Sequence, residues 1–121
     1  MFKKEVLDNL VKAYKEDKDI LEMIYDSLES MSSYVKTVNS MENTITVLRF
    51  KMDPEEYRIR VQELDRNRRI IHDGVISSIK FLNRISNVAH LPLFYSGDID
   101  DRYEVATFAG EVVKEIFDNR Q

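Results

Sequence analysis

The densest run of reactive side chains is Asp65-Arg66-Asn67-Arg68-Arg69-Ile70-Ile71-His72-Asp73. A histidine can take a proton as general base, an arginine can hold a phosphate oxygen, and carboxylates can pair with either or ligate a metal. A second polar set is Asn83, Arg84, Asn87 and His90, which the returning chain brings toward Asp98, Asp100, Asp101 and Arg102. Carboxylates in that arrangement suit a divalent cation through oxygen ligands, but the interleaved Asp/Asn, Gly and closing Glu of a calcium loop are missing. Capping a helix with Asp98 and Asp101, and pairing Arg84 or Arg102 with Asp100, explains the cluster more simply. The loop cluster of Arg84, His90, Asp98, Asp100 and Asp101 therefore stands as a candidate site, with no metal assigned to it.

Two catalytic patterns can be laid on the first run. His72-Asp73 after an apolar pair looks like the central doublet of His-Asp phosphohydrolases, whose metal shell needs a further histidine upstream. None precedes His72. Arg66-Asn67 with His72 resembles the signature of HEPN ribonucleases, which are all-α and metal-independent. That resemblance implies His72 acting as base on a ribose 2′-hydroxyl while Arg66 holds the scissile phosphate. Arg84 and His90 repeat the same five-residue gap, and the chain holds nine arginines, so the pattern specifies little. The ExxE and ExxD pairs of all-α nucleotide pyrophosphatases have near matches only in Glu5-x-x-Asp8 and Asp19-x-x-Glu22, without a second well-formed set.

The elements that must position these groups are helices. Three glycines and two prolines leave few enforced breaks in 121 residues. Val6, Leu7, Leu10, Val11 and Tyr14 recur at helical spacing, and the charged run from Lys15 to Asp19 either breaks that first helix or forms a solvated turn. Leu21, Ile24, Leu28, Met31, Val35 and Val38 then step by three and four, continuing through Glu42, Ile45, Arg49 and Met52. Thr44 to Phe50 is β-branched enough for a strand but has no partner segment, so the spacing predicts helix there. Asp53-Pro54-Glu55-Glu56 reads as N-cap, Pro at N1 and an acid at N3 able to complete a capping box. The next helix runs to about His90, roughly 55 Å at 1.5 Å per residue. Its apolar residues lie on two sides, Tyr57, Val61, Leu64, Ile71, Val75, Ile79, Leu82 and Ala89 on the main stripe, with Ile59, Ile70, Phe81 and Val88 well round the cylinder. A last helix follows Pro92 to Gly97, with Asp98 as N-cap, Asp101 at N3 and an inward face from Ile99 to Phe117. The loop residues Leu91, Leu93, Phe94 and Tyr95 are expected to fold over the bundle end.

This predicts an all-α fold, a bundle of three to four helices around a long antiparallel hairpin turning at Asp53-Pro54, as one domain over 1–121. In that hairpin Arg68 comes within long side-chain reach of Glu42, each a charge interrupting an apolar seam, and a buried pair between them would fix register. This structural reading is preferred over the catalytic ones, because polar seam residues in bundles set register more often than they perform chemistry. Composition agrees with a soluble chain: 43% hydrophobic and 33% charged residues can fold, and a net charge of −4 disfavours nonspecific nucleic-acid binding. The absence of cysteine removes disulfides, thiolate nucleophiles and Cys-ligated metals, and no signal-peptide or membrane-spanning stretch stands out, so a cytoplasmic location is expected.

Arg68-Arg69-x-x-His72-Asp73, Leu82-Asn83-Arg84, Gly97-Asp98-x-x-Asp101-Arg102 and Phe108-x-x-x-Val112-Val113 together resemble a small bacterial or phage-associated helical family without an assigned activity. The resemblance covers the carboxyl-terminal two-thirds and implies a compact α-helical fold, but carries over no catalytic or binding residue. The expected function is a noncatalytic interaction or self-association module that uses no cofactor, with a homo-oligomer or another protein as partner. The alternative is the HEPN-like ribonuclease using Arg66, Asn67 and His72.

Overall fold

The computed structural model describes residues 1–118, and in them four α-helices follow one another with no strand. Helix α1 spans Lys4–Ala13, α2 Lys18–Leu48, α3 Pro54–Val88 and α4 Arg102–Val113, which runs on into a π-helical turn at Lys114–Asp118. Thirty-one and 35 residues make α2 and α3 about 46 and 52 Å long. They pair as the antiparallel hairpin, and α4 packs on α2 and, less extensively, on α3. Thr44 to Leu48 are helical, as the spacing predicts; the chain then turns over Arg49–Met52, where the Phe50, Lys51 and Met52 amides bond back to Val47 and Leu48.

The caps explain where the helices begin. Asp53 Oδ1 accepts from the Glu55 and Glu56 amides, both at 3.0 Å, and Pro54 opens α3 with its φ already set. No reciprocal bond from Glu56 to the Asp53 amide occurs among the described residues, so the cap is one-sided. The charged run at 15–19 is a break: α1 ends at Ala13, and Asp17 caps α2 through the Ile20 amide at 3.1 Å. The start of α4 differs from expectation. Its N-cap is Asp101, whose Oδ1 accepts from the Glu104 amide at 3.1 Å, while Asp98 lies one turn earlier and holds the Asp100 amide. Both aspartates suit a cap, and Asp98 is spent on the turn that precedes it.

The end of α3 is equally specific. The Leu91 amide reaches the Ser86 carbonyl at 2.9 Å and the His90 amide reaches Asn87 at 3.1 Å, the bonding of a Schellman motif. His90 therefore occupies the left-handed position, φ 59°, that glycine usually fills. The chain continues across the bundle end with Phe94 and Tyr95 buried and Leu91 half-buried, as expected, whereas Leu93, expected to fold in with them, is exposed. Asn83 pins this crossing, donating to the Tyr95 carbonyl and accepting from the Tyr95 amide, each at 2.9 Å.

The core lies at this closed end, here called the base. Leu10, Ile24, Met31, Val75, Ile79, Leu82, Val105 and Val112 are fully enclosed, each apolar side chain of this kind contributing roughly 1.5–3 kcal/mol. Phe2, Phe94, Tyr95 and Phe108 add an aromatic cluster, ring centroids 4.6–5.9 Å apart. Helix α1 is tied in by Tyr14, whose hydroxyl donates to the Ile85 carbonyl at 2.7 Å, and the Phe2 amide donates to Glu111 at 2.9 Å. The hairpin extends well beyond this core. From Val35 to Glu63 no residue is buried, and this stretch forms a two-helix arm.

Candidate functional site

Where α4 begins, the α2–α3 pair leaves a cleft of about 670 Å³. Tyr34, Val38 and Glu42 face it from α2, Asp65, Arg68, Arg69 and His72 from α3, and Arg102, Tyr103 and Ala106 from α4. The spacing on α3 is one helical face, since 65, 68/69 and 72 step by three and four. Asp65 organises the arginines: it pairs with Arg68, three residues on, and with Arg69, four residues on, at 3.1 Å. The Arg68 hydrogen bond holds the Asp65 carboxyl below its ordinary range. These pairs are exposed and add little to stability by themselves.

His72 is the unusual group. It is 3% exposed and stacks edge-on against Tyr34, ring centroids 5.7 Å apart at 69°. Among the described residues neither ring nitrogen has a hydrogen-bond partner of full geometry, although the backbone of Arg102 is near enough to favour the charged ring. Burial dominates and pushes the His72 pKa down, with the Arg102 charge acting in the same direction and Asp73 opposing it. Tyr34 is pushed up by burial, partly offset by Arg68 and Arg102. The Arg102 guanidinium is thus felt at Tyr34, His72 and Asp65 together.

The structure sorts the sequence candidates sharply. Arg66 and Asn67 are exposed and stand outside the cleft that His72 lines, so the Arg66–His72 pair of the ribonuclease alternative is not assembled. Six residues on a helix place two side chains on different faces. The buried Glu42–Arg68 pair is corrected: both residues are exposed, they line the same cleft, and Arg68 bonds to Asp65 instead. A partner one turn away on the same helix is reached with less ordering than one across the hairpin, and the open cleft leaves both charges in contact with water. The Asp65–Arg69 pair forms, whereas Arg69–Asp73 does not among the described residues.

The loop candidates do not converge as a site. Arg84, His90, Asp98, Asp100 and Asp101 are all exposed, and no group of three or more potential ligands able to hold a metal occurs among the described residues. Arg84 and Arg102 form no ion pair with Asp100 there. Local structure accounts for three of these residues: His90 ends α3, Asp98 holds a turn and Asp101 caps α4. Nearby, Tyr95 is raised to about 12, by burial first and then by Glu104.

Sequence reasoning missed Tyr34 and the role of Arg102, and it set Tyr103 on the inward face of the last helix, whereas the structure leaves it 83% exposed at the rim of the cleft. Tyr34 had a signal, standing three residues after Met31 on the α2 seam. Arg102 had none, because its meeting with His72 depends on where α4 crosses the hairpin. No curated protein matches the chain. A family model does match residues 2–121, that of the family described as a protein of unknown function, DUF3232, and the chain therefore belongs to that family.

Proposed function

We propose that the protein is a noncatalytic, cytoplasmic helical module that self-associates through the arm. One observation carries this reading: residues 35–63 form two helical segments without a single buried residue. Val38, Met41, Ile45, Leu48, Met52, Tyr57 and Val61 are only half-covered, and Val47, Phe50 and Ile59 are exposed. A groove of about 220 Å³, lined by Val38, Met41, Ile45, Val61 and Leu64 among others, opens between the helices on this arm. Two helices cannot bury both faces of their own seam; a second hairpin laid against them makes a four-helix bundle, the usual way such seams are closed.

Charge favours a second copy as that partner. The whole chain carries −4, but the arm is balanced, with Lys36, Arg49, Lys51, Arg58 and Arg60 against Glu42, Asp53, Glu55, Glu56 and Glu63. Two arms can therefore meet without net repulsion, and a two-fold axis would set acids of one against bases of the other. Sedimentation equilibrium is expected to show a dimer that Val47→Asp with Phe50→Asp converts to a monomer of unchanged helicity. Both side chains are already half or more exposed, so the double variant leaves the fold intact. A wild-type chain that stays monomeric up to about 1 mM, where even weak dimers form, overturns the reading.

A further inference from the structure

The cleft at the start of α4 holds groups that the packing of the bundle does not use. Arg102 has no ion pair among the described residues, and its charge bears on Tyr34, His72 and Asp65 across the cleft. Arg68 and Arg69 are both held by one carboxylate, which sets two guanidinium groups on the same wall. Each guanidinium has five N–H donors, so the bonds to Asp65 leave most of them unspent. His72 adds a buried ring whose nitrogens meet no partner of full hydrogen-bond geometry among the described residues, the Arg102 backbone standing close by. A buried polar atom without a partner costs free energy that native proteins rarely leave unrecovered.

We propose that this cleft is a binding site for a phosphate-bearing small molecule, gripped by Arg68, Arg69 and Arg102 above His72. Arginine suits such a group because its planar fork meets two phosphate oxygens at once. Three arginines face two carboxylates, Glu42 and Asp65, so the cleft is locally positive in a chain of net charge −4. The overall charge repels a long polyanion, whereas a small ligand responds to the local field. The volume, about 670 Å³, falls in the range that holds compounds of nucleotide size. Tyr103, 83% exposed at the rim, offers a ring on which a base can stack.

This proposal does not depend on self-association, and the two are tested with different variants. Calorimetric titration of the full chain with inorganic pyrophosphate, ADP and adenosine at fixed ionic strength is the direct experiment. Pyrophosphate and ADP are expected to bind saturably and adenosine not, and Arg102→Ala to weaken both phosphate ligands about tenfold or more. Arg84→Ala, a charge removed outside the cleft, is expected to leave binding unchanged. In wild-type protein, NMR titration with pyrophosphate should centre its shifts on the His72 ring and the Arg102 guanidinium, a readout that needs no variant to fold. The proposal is overturned by absence of saturable binding, by unchanged affinity in folded Arg102→Ala, or by shifts centred elsewhere. Tighter binding of a short single-stranded RNA than of ADP overturns it too, by making the cleft a nucleic-acid surface.

Discussion

The base and the arm are made from the same two helices yet are stabilised in different ways. In the base, α2 and α3 are covered by α1, α4 and the crossing 89–101, and Met31, Val75, Ile79 and Leu82 are enclosed completely. In the arm the same heptad pattern continues, but Met41, Ile45 and Val61 remain half-exposed because, among the described residues, no third element lies over them. An apolar stripe states which face a helix would bury; whether it does so depends on what else reaches that level. The cleft lies at the boundary, where α4 begins and the cover stops.

The largest expected effect tests this contrast directly. Leu82→Ala, in the base, should cost about 2–5 kcal/mol in urea unfolding, because it leaves a cavity in a close-packed layer. Leu48→Ala, in the arm, should cost under about half as much when measured at dilution, since its side chain has given up less water contact. Equal losses would mean that the arm is packed as firmly as the base, and the comparison would fail.

Next in size is the fixing of the crossing. Asn83→Ala removes two hydrogen bonds and leaves the Tyr95 amide and carbonyl without their partner, an expected loss of about 2–3 kcal/mol. The loss should appear as faster hydrogen exchange around Phe94 and Tyr95, with arm amides unaffected. A smaller change of opposite sign is expected at the end of α3. His90→Gly relieves the left-handed backbone and should raise stability by about 1 kcal/mol, read as an increase in urea midpoint at constant slope. A decrease would show that the His90 side chain has a role that its exposed position does not reveal.

The hairpin, its turn at Asp53-Pro54 and the all-α class were legible because they rest on local signals: the cap, the fixed φ of proline and uninterrupted helical spacing. The family assignment agrees with the resemblance to a helical family of no assigned activity. The Asp98 and Asp101 roles were not separable, since both have the chemistry of a cap and only the backbone path chooses between them. Glu42 and Arg68 line one cleft from the two helices of the hairpin, but their burial was inferred from the stripe alone, and the stripe continues past the point where cover ends. Arg66 was singled out by its neighbour in sequence, whereas the cleft is built from residues three and four apart, with Arg102 supplied by another helix.

The smallest effect concerns the boundary, and its sign follows from burial. Around His72 stand Tyr34 and Glu42 of α2, Asp65, Arg68, Arg69 and Asp73 of α3, and Arg102 of α4, and their net outcome with burial is a pKa below the ordinary 6.5. The unfolded chain therefore takes up a proton more readily than the folded one, so stability is full above about pH 6.5 and falls as pH drops below it. Asp65 acts in a separate window: its carboxyl is held below 3.8, so the contribution of that pairing disappears only under more acidic conditions. Unfolding midpoints measured between pH 7.5 and 5, values bracketing the ordinary histidine range of about 6.5, should decline in wild-type protein and flatten in His72→Gln. Because Tyr34 and His72 form the ring contact nearest the arm, charging the imidazole should loosen residues 35–63 before the base, and hydrogen exchange there should quicken first. A decline that is identical in His72→Gln would remove His72 from the boundary's energetics.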